Sequence, residues 1–331
     1  MRIKRLFVLL MLPVTSVLVL ILHVQYKYSG SQMIAVGLRT SLAAPRTDIS
    51  FTPLSWTEVN GVEKLVLFVG HAGLISAMMD AHPNIIIGYE YHVLQECMQG
   101  RHVQSKASLF NGLYESSYNS SRRGKRSKQN TEKGYDLHIN TRWPGAFKQL
   151  RMIGDKDVSL LSMSFGARPI RGMSCLRLLR DEVKIPIVVL HVVQNPFDII
   201  AANIAGSVSV QEMQPQHKKL KVNESEIMKH ARALYKRAAA SMEAMKMIET
   251  MFGLTLLEIR AESLSKRPRE IIMRICIVLG IPCPYGYVEA CIEKISWNNP
   301  KSRHFIEWKE DVVKTIIDMM RHFPFYSSYR L

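Results

Sequence analysis

The sequence predicts an α/β protein built on an open parallel sheet, and three apolar runs carry that expectation. Residues 65–69 (LVLFV) are continuously apolar and 185–193 (IPIVVLHVV) and 254–259 (LTLLEI) predominantly so, as strands are when both faces of a sheet are covered. Each leads through a turn or loop into a helical pattern, the order in which ligands gather at the carboxyl ends of strands.

Residues 64–90, KLVLFVGHAGLISAMMDAHPNIIIGYE, read as one complete strand, turn, helix and strand. Gly70 stops the strand; Leu74, Ile75, Ala77, Met78 and Met79 give a short helix; His82-Pro83-Asn84 breaks it before a β-branched run at 85–87. The turn Gly70-His71-Ala72-Gly73 aims backbone N–H groups and the positive end of a helix dipole at one spot, which suits a phosphate or sulfate. The plainer alternative is that Gly70 and Gly73 only let the chain reverse.

The 331 residues are 47% hydrophobic, which fits a globular protein, and 44 Lys+Arg against 28 Asp+Glu give a charge of +16. That balance raises nucleic acid, anionic membrane or a polyanionic substrate as partners, but Arg122, Arg123, Lys125, Arg126 and Lys128 concentrate part of it in one segment. The five cysteines show no CxxC spacing, so no metal site is expected; Cys276, Cys283 and Cys291 lie close enough for one disulfide.

Residues 1–5 carry Arg2, Lys4 and Arg5, and 6–24 (LFVLLMLPVTSVLVLILHV) form an apolar run long enough to span a membrane as an uncleaved signal-anchor. Basic residues before the span predict a type II single-pass topology with the rest of the chain in the lumen. Residues 25–61, with Pro45 and Pro53, read as a stem, and the folded domain is expected over 62–331. In a lumen, Asn119-Ser120-Ser121 and Asn223-Glu224-Ser225 are glycosylation sequons.

Between Leu94 and Tyr135 the chain turns polar and reads as a long exposed loop, in which Arg123-Gly124-Lys125-Arg126 resembles a convertase site or offers a landing strip for an anionic acceptor. Residues 147–156 suggest a strand ending in Gly154-Asp155-Lys156, and 170–179 a helix. After the run at 185–193, Asn195-Pro196 starts a turn into a helix through Ile199, Ile200 and Ile204. Residues 225–250 form an amphipathic helix closed by Gly253, and 260–264 a loop; Pro268 opens a helix that Gly280 ends, and a last helix precedes the terminal FPFYSSYRL.

These pieces in this order resemble the Golgi membrane sulfotransferases, from about Lys64 to the C-terminus. The likeness rests on residues 65–84 with Asp80-Ala81-His82-Pro83-Asn84, on 193–203 (VQNPFDIIAAN), on 257–264 (LEIRAESL), and on Lys301-Ser302-Arg303 with Trp308. It implies a P-loop-kinase-like fold and transfer of sulfuryl from 3′-phosphoadenylyl sulfate (PAPS) to a glycan or protein hydroxyl, without metal or nucleic acid. It also implies donor contacts at Gly70, His71, Ala72, Gly73, Gln194, Asp198, Lys301 and Arg303. Glu90 is the candidate base, with His92 second and His71 in place of a missing loop cation.

The departures from the family pattern fall on the donor site. The first loop is several residues short and lacks its basic residue; Gln194 stands where Arg is expected and Ala202 where Ser or Thr is. A skipped exon would shorten the loop but leaves Gln194 and Ala202 unexplained. Two functions follow: a Golgi sulfotransferase, or a fold that has lost its donor site and serves as a binding or scaffolding module or a partner subunit.

Overall fold

The computed structural model describes residues 51–100, 105–122, 147–156, 169–205, 219–296 and 302–331. The expected tail (1–5), anchor (6–24) and most of the stem lie outside them, as do the basic run at 123–128 and Lys301. Among the described residues no helix is long and apolar enough to cross a membrane.

Five parallel strands form the sheet: β1 (Lys64–Gly70), β2 (Ile85–Tyr89), β3 (Met152–Lys156), β4 (Ile187–Val193) and β5 (Thr255–Arg260), in the order β2-β3-β1-β4-β5. This is the open parallel sheet the three apolar runs predict, with the strand order of a P-loop-kinase-like fold. Both faces of β1 are buried, Val66 and Phe68 on one side and Leu65, Leu67 and Val69 on the other, which accounts for its unbroken apolar run.

On the first face pack α2 (Gly73–Asp80), α9 (Pro268–Leu279) and α10 (Tyr285–Ser296). The opposite face is covered by α1 (Trp56–Gly61), α3 (Val93–Met98), α4 (Lys106–Arg122), α5 (Pro169–Val183) and the end of α7 (Glu224–Met247). A third cluster joins α6 (Pro196–Ala205), α7, α11 (Glu310–Met320) and the tail residues Phe323, Phe325 and Tyr326. Short α8 (Ala261–Lys266) follows β5 where a loop is expected from the sequence.

Ahead of residue 62, Leu54 and Val59 are buried and Ser55 closes a capping box with Glu58 on α1. One further expectation changes. The long exposed loop after Leu94 contains α4, which buries Leu109, Phe110, Leu113 and Tyr118. Ser117 and Ser120 are buried on the same helix, so polar residues occupy core positions and blur its apolar period.

The residues 80–84 form a structural lock. The Asp80 carboxylate accepts from the Ile87 N–H (2.6 Å) and the Ser117 hydroxyl (3.1 Å), satisfying an edge-strand donor of β2. The His82 ring pairs through Nε2 with Pro282 O (2.9 Å), while its Nδ1 accepts from the Asn84 N–H (3.1 Å). Asn84 Nδ2 donates to Gln149 O at 2.8 Å. Burial holds the His82 pKa down at about 4, so this histidine is neutral at pH 7.

Two disulfides tie the helices, Cys97 to Cys175 between α3 and α5 and Cys276 to Cys283 at the end of α9, leaving Cys291 as a buried thiol. The second uses two of the three cysteines the spacing brings together.

Candidate functional site

The carboxyl ends of the strands are where an open α/β sheet binds ligands, with β1 at the centre of the sheet between β3 on one side and β4 on the other. β1 ends at Gly70 with φ +82°. A Cβ there would stand 2.2 Å from the Val192 carbonyl oxygen of β4, so only glycine permits this approach.

His71 and Ala72 alone separate Gly70 from α2, and the His71 N–H donates back to Val192 O at 3.1 Å. One donor of the turn is therefore committed to the sheet, and the turn closes against β4 instead of opening as a cradle. Ala72, the residue before α2, makes no side-chain cap. The His71 pKa is pushed down to about 4, first by burial and then by the charge of Arg237, so the ring is neutral at pH 7. Neutral His71 does not supply the cation that the shortened loop lacks.

Beside this turn lies a cavity of about 40 Å³ lined by His71, His191, Arg237, Ser241, Phe325 and Tyr326. That is room for about three waters. Its cover is the C-terminal segment, with Phe325 edge-on to the His191 ring at 4.9 Å.

The same segment crosses the ends of β4 and β5. Asn195 Nδ2 donates to Arg330 O (2.8 Å), the Tyr329 hydroxyl donates to Glu262 Oε2 (2.7 Å), and the Arg260 guanidinium donates to Ser328 Oγ (2.9 Å). Glu262 also accepts the Asn195 N–H, and Asn195 Oδ1 accepts from Phe197 N–H (2.9 Å), so the β4–α6 turn is held by its own chain.

Gln194 is half-buried just before that turn, and Ala202 lies one turn from the end of α6. Asp198, in the first turn of α6, meets Arg303: the Arg303 N–H reaches Oδ1 at 2.9 Å and its guanidinium Oδ2 at 2.8 Å. Burial raises the Asp198 pKa, and the Arg303 hydrogen bond and charge oppose that rise. The structure thus brings two expected phosphate ligands together, and the acid takes the cation. Trp308 secures the arrangement by donating to Arg303 O at 2.8 Å.

Glu90 stands exposed after β2 with φ +54°, its N–H donating to Lys156 O (3.0 Å) and its Oε1 3.8 Å from Lys156 Nζ. Lys156 ends β3 with its ammonium 4.1 Å from the centre of the Tyr89 ring. This cation was not singled out in the sequence; a lysine closing a buried strand was the signal available. His92, at φ +63°, sits in a turn held by Asp155, whose carboxylate accepts from Tyr91 N–H (3.1 Å) and Val93 N–H (3.0 Å). Because β3 separates β2 from β1, Glu90 and His71 stand on strands about 10 Å apart. Among the described residues no cluster of acids, histidines and cysteines is arranged to hold a metal.

No family profile and no curated protein matches the chain. Solved structures do: the sulfotransferase domain of the Synechococcus PCC 7002 olefin synthase is 14% identical, covering 82% of this chain and 89% of that one at a TM-score of 0.41. The sulfotransferase STF9 from Mycobacterium avium is 10% identical over 83% of this chain and 80% of its own, at 0.43. Mouse sulfotransferase SULT7A1, complexed with PAP, is 8% identical over 80% and 86%, at 0.40. Likenesses this distant add nothing to the chemistry read from the geometry.

Proposed function

We propose that this chain is a sulfotransferase-like fold working as a binding or scaffolding module, without a functional PAPS site, in the lumen of the Golgi behind a type II anchor. The observation that carries the reading is the β1–α2 turn: His71 and Ala72 alone, with the His71 N–H bound to Val192 O. A phosphosulfate needs convergent N–H donors and a cation there. The Asp198–Arg303 pair and the covering C-terminal segment support the same reading from the other half of the crevice.

The luminal placement is supported by the apolar run at 6–24 and by the two disulfides, which persist in oxidising compartments. Of the two sequons, Asn223 is exposed as the N-cap of α7, whereas Asn119 lies within α4 beside buried Ser120. A glycan is expected at Asn223 only. Glycosidase digestion should shift the wild-type band, and Asn223→Gln should abolish that shift; a shift that persists until Asn119 is also replaced would contradict it.

Calorimetry of the full-length protein with 3′,5′-adenosine bisphosphate, the spent donor, tests the main reading. Silence at millimolar nucleotide is expected, and micromolar binding would overturn it.

The Glu90–Lys156 pair favours a second reading, an active transferase. In that reaction an acceptor hydroxyl attacks sulfur in line, its proton passes to Glu90, and the sulfur–oxygen bond to the phosphate breaks to release the bisphosphate. The same titration separates the two.

A further inference from the structure

The longest helix of the described residues carries exposed cations that run from its solvent side round to the small cavity at the head of β1. Between Ile227 and Met242 the sequence of α7 contains Lys229, His230, Arg232, Lys236 and Arg237 and no acidic residue. Lys229 and His230 both turn to Glu226, at 3.3 and 3.0 Å. Arg232, Lys236 and Arg237 are exposed and make no ion pair or hydrogen bond with a described side chain.

Helix geometry places these three cations within about 8 Å along the axis, with Arg232 and Lys236 stacked one turn apart. Arg237 lies about 100° round from Lys236, toward Leu234 and Ser241, which line the small cavity at the head of β1. Arg237 therefore joins the basic face to the cavity mouth, and its field reaches inside, where it helps keep His71 neutral. Nearby α11 carries three acids: Glu310 is held by Lys314 (2.8 Å), Asp318 by Arg321 (3.2 Å), and Asp311 is exposed in its first turn. Glu243, exposed near the end of α7, marks where the uninterrupted basic stretch stops.

We propose that Arg232, Lys236 and Arg237 form a docking surface for a linear sulfated polysaccharide, whose regularly spaced anions match cations along a helix. The proposal rests on the luminal placement given above: the disulfides point to an oxidising compartment, where sulfated polysaccharide is available and nucleic acid is not. A glycan at Asn223 would lie on the same side of the helix as Arg237 but about 20 Å from it along the axis, and about 180° round from Arg232.

The test measures binding of the full-length protein to immobilised heparin as a function of salt. Wild-type protein should bind at physiological ionic strength. The triple variant Arg232→Ala, Lys236→Ala, Arg237→Ala should bind at least tenfold more weakly, with the slope of log affinity against log salt reduced by about 2 to 3. Lys266→Ala with Arg274→Ala, exposed cations on the other side of the sheet, should leave both unchanged. Arg237→Gln alone, a milder change, should weaken binding about threefold.

Failure of wild-type binding, or equal binding by wild type and the folded triple variant, overturns the proposal. Equal competition by duplex DNA of the same charge overturns the choice of polysaccharide. Nucleotide titration is independent of these outcomes: a protein that binds heparin through α7 and also binds the bisphosphate keeps this surface and loses the donor-free reading.

Discussion

The two ends of α2 differ in what they do. At its C-terminal end, Asp80, His82 and Asn84 each have a named partner and lock α2, β2 and the segment before α10 together. At its N-terminal end, His71 and Ala72 make a turn with no side-chain cap and no cation, drawn against β4. At the C-terminal end the residues that carry the family resemblance have structural tasks, and at the N-terminal end the departure falls in the turn where the resemblance implies a ligand. A fold can keep its scaffold while its binding site closes, because the scaffold residues answer to burial and the site residues only to ligand.

Substitutions should separate the two ends by free energy. Asp80→Ala is expected to cost the most, about 4 kcal/mol in chemical denaturation, because it leaves the buried Ile87 N–H and Ser117 hydroxyl without their acceptor. Asp198→Ala should cost about 3 kcal/mol by stranding the largely buried Arg303 guanidinium, which places this ligand-side residue among the structural ones. A cost below about 1 kcal/mol would mean that the pair is only a surface contact.

His82→Ala should lose about 2 kcal/mol and also change the pH dependence. The folded His82 pKa of about 4 lies below its unfolded value, so its contribution is fully present above about pH 6.5 and is lost as pH falls toward 4. The variant should flatten the stability–pH curve in that window by up to about 1.4 kcal/mol per pH unit. An unchanged slope would show that His82 titrates normally.

The smallest effects should come from Glu90→Gln and Gln194→Arg, each within about 0.5 kcal/mol of wild type, since Glu90 is exposed and 3.8 Å from its partner. A loss comparable to that of Asp80→Ala would erase the contrast.

The strands β1 and β4 were legible because burial on both faces writes an unbroken apolar run, whereas β5, expected to be covered on both faces, leaves Thr255 and Glu258 exposed. The helix α4 was not legible, because Ser117, bonded to Asp80, and Ser120 occupy core positions and break its period. Its partner lies 37 residues away in sequence, and no local pattern carries that contact. The shortened first turn was legible by comparison with the family pattern, but the neutrality of His71 was not, since it depends first on burial in the folded chain and then on Arg237 from a distant helix. The Asp198–Arg303 pair spans 105 residues, and each member looked like a phosphate ligand until the other stood beside it. The closure by FPFYSSYRL was hidden for the same reason.

The place of β3 in the sheet has a consequence for how the chain is assembled. β1 and β2 are synthesised first, but β3 lies between them, with Lys64 opposite Met152 and Ile85 opposite the same residue. Until β3 arrives, both earlier strands keep open edges that invite foreign pairing. The Cys97–Cys175 bridge, spanning 78 residues, encloses that late strand. Oxidation after insertion shuts β3 into its slot, whereas oxidation before it would require a closed loop to work its middle between two strands. Order of synthesis and order of oxidation are therefore coupled in this chain, and a mild reductant during early folding should raise the yield of native protein.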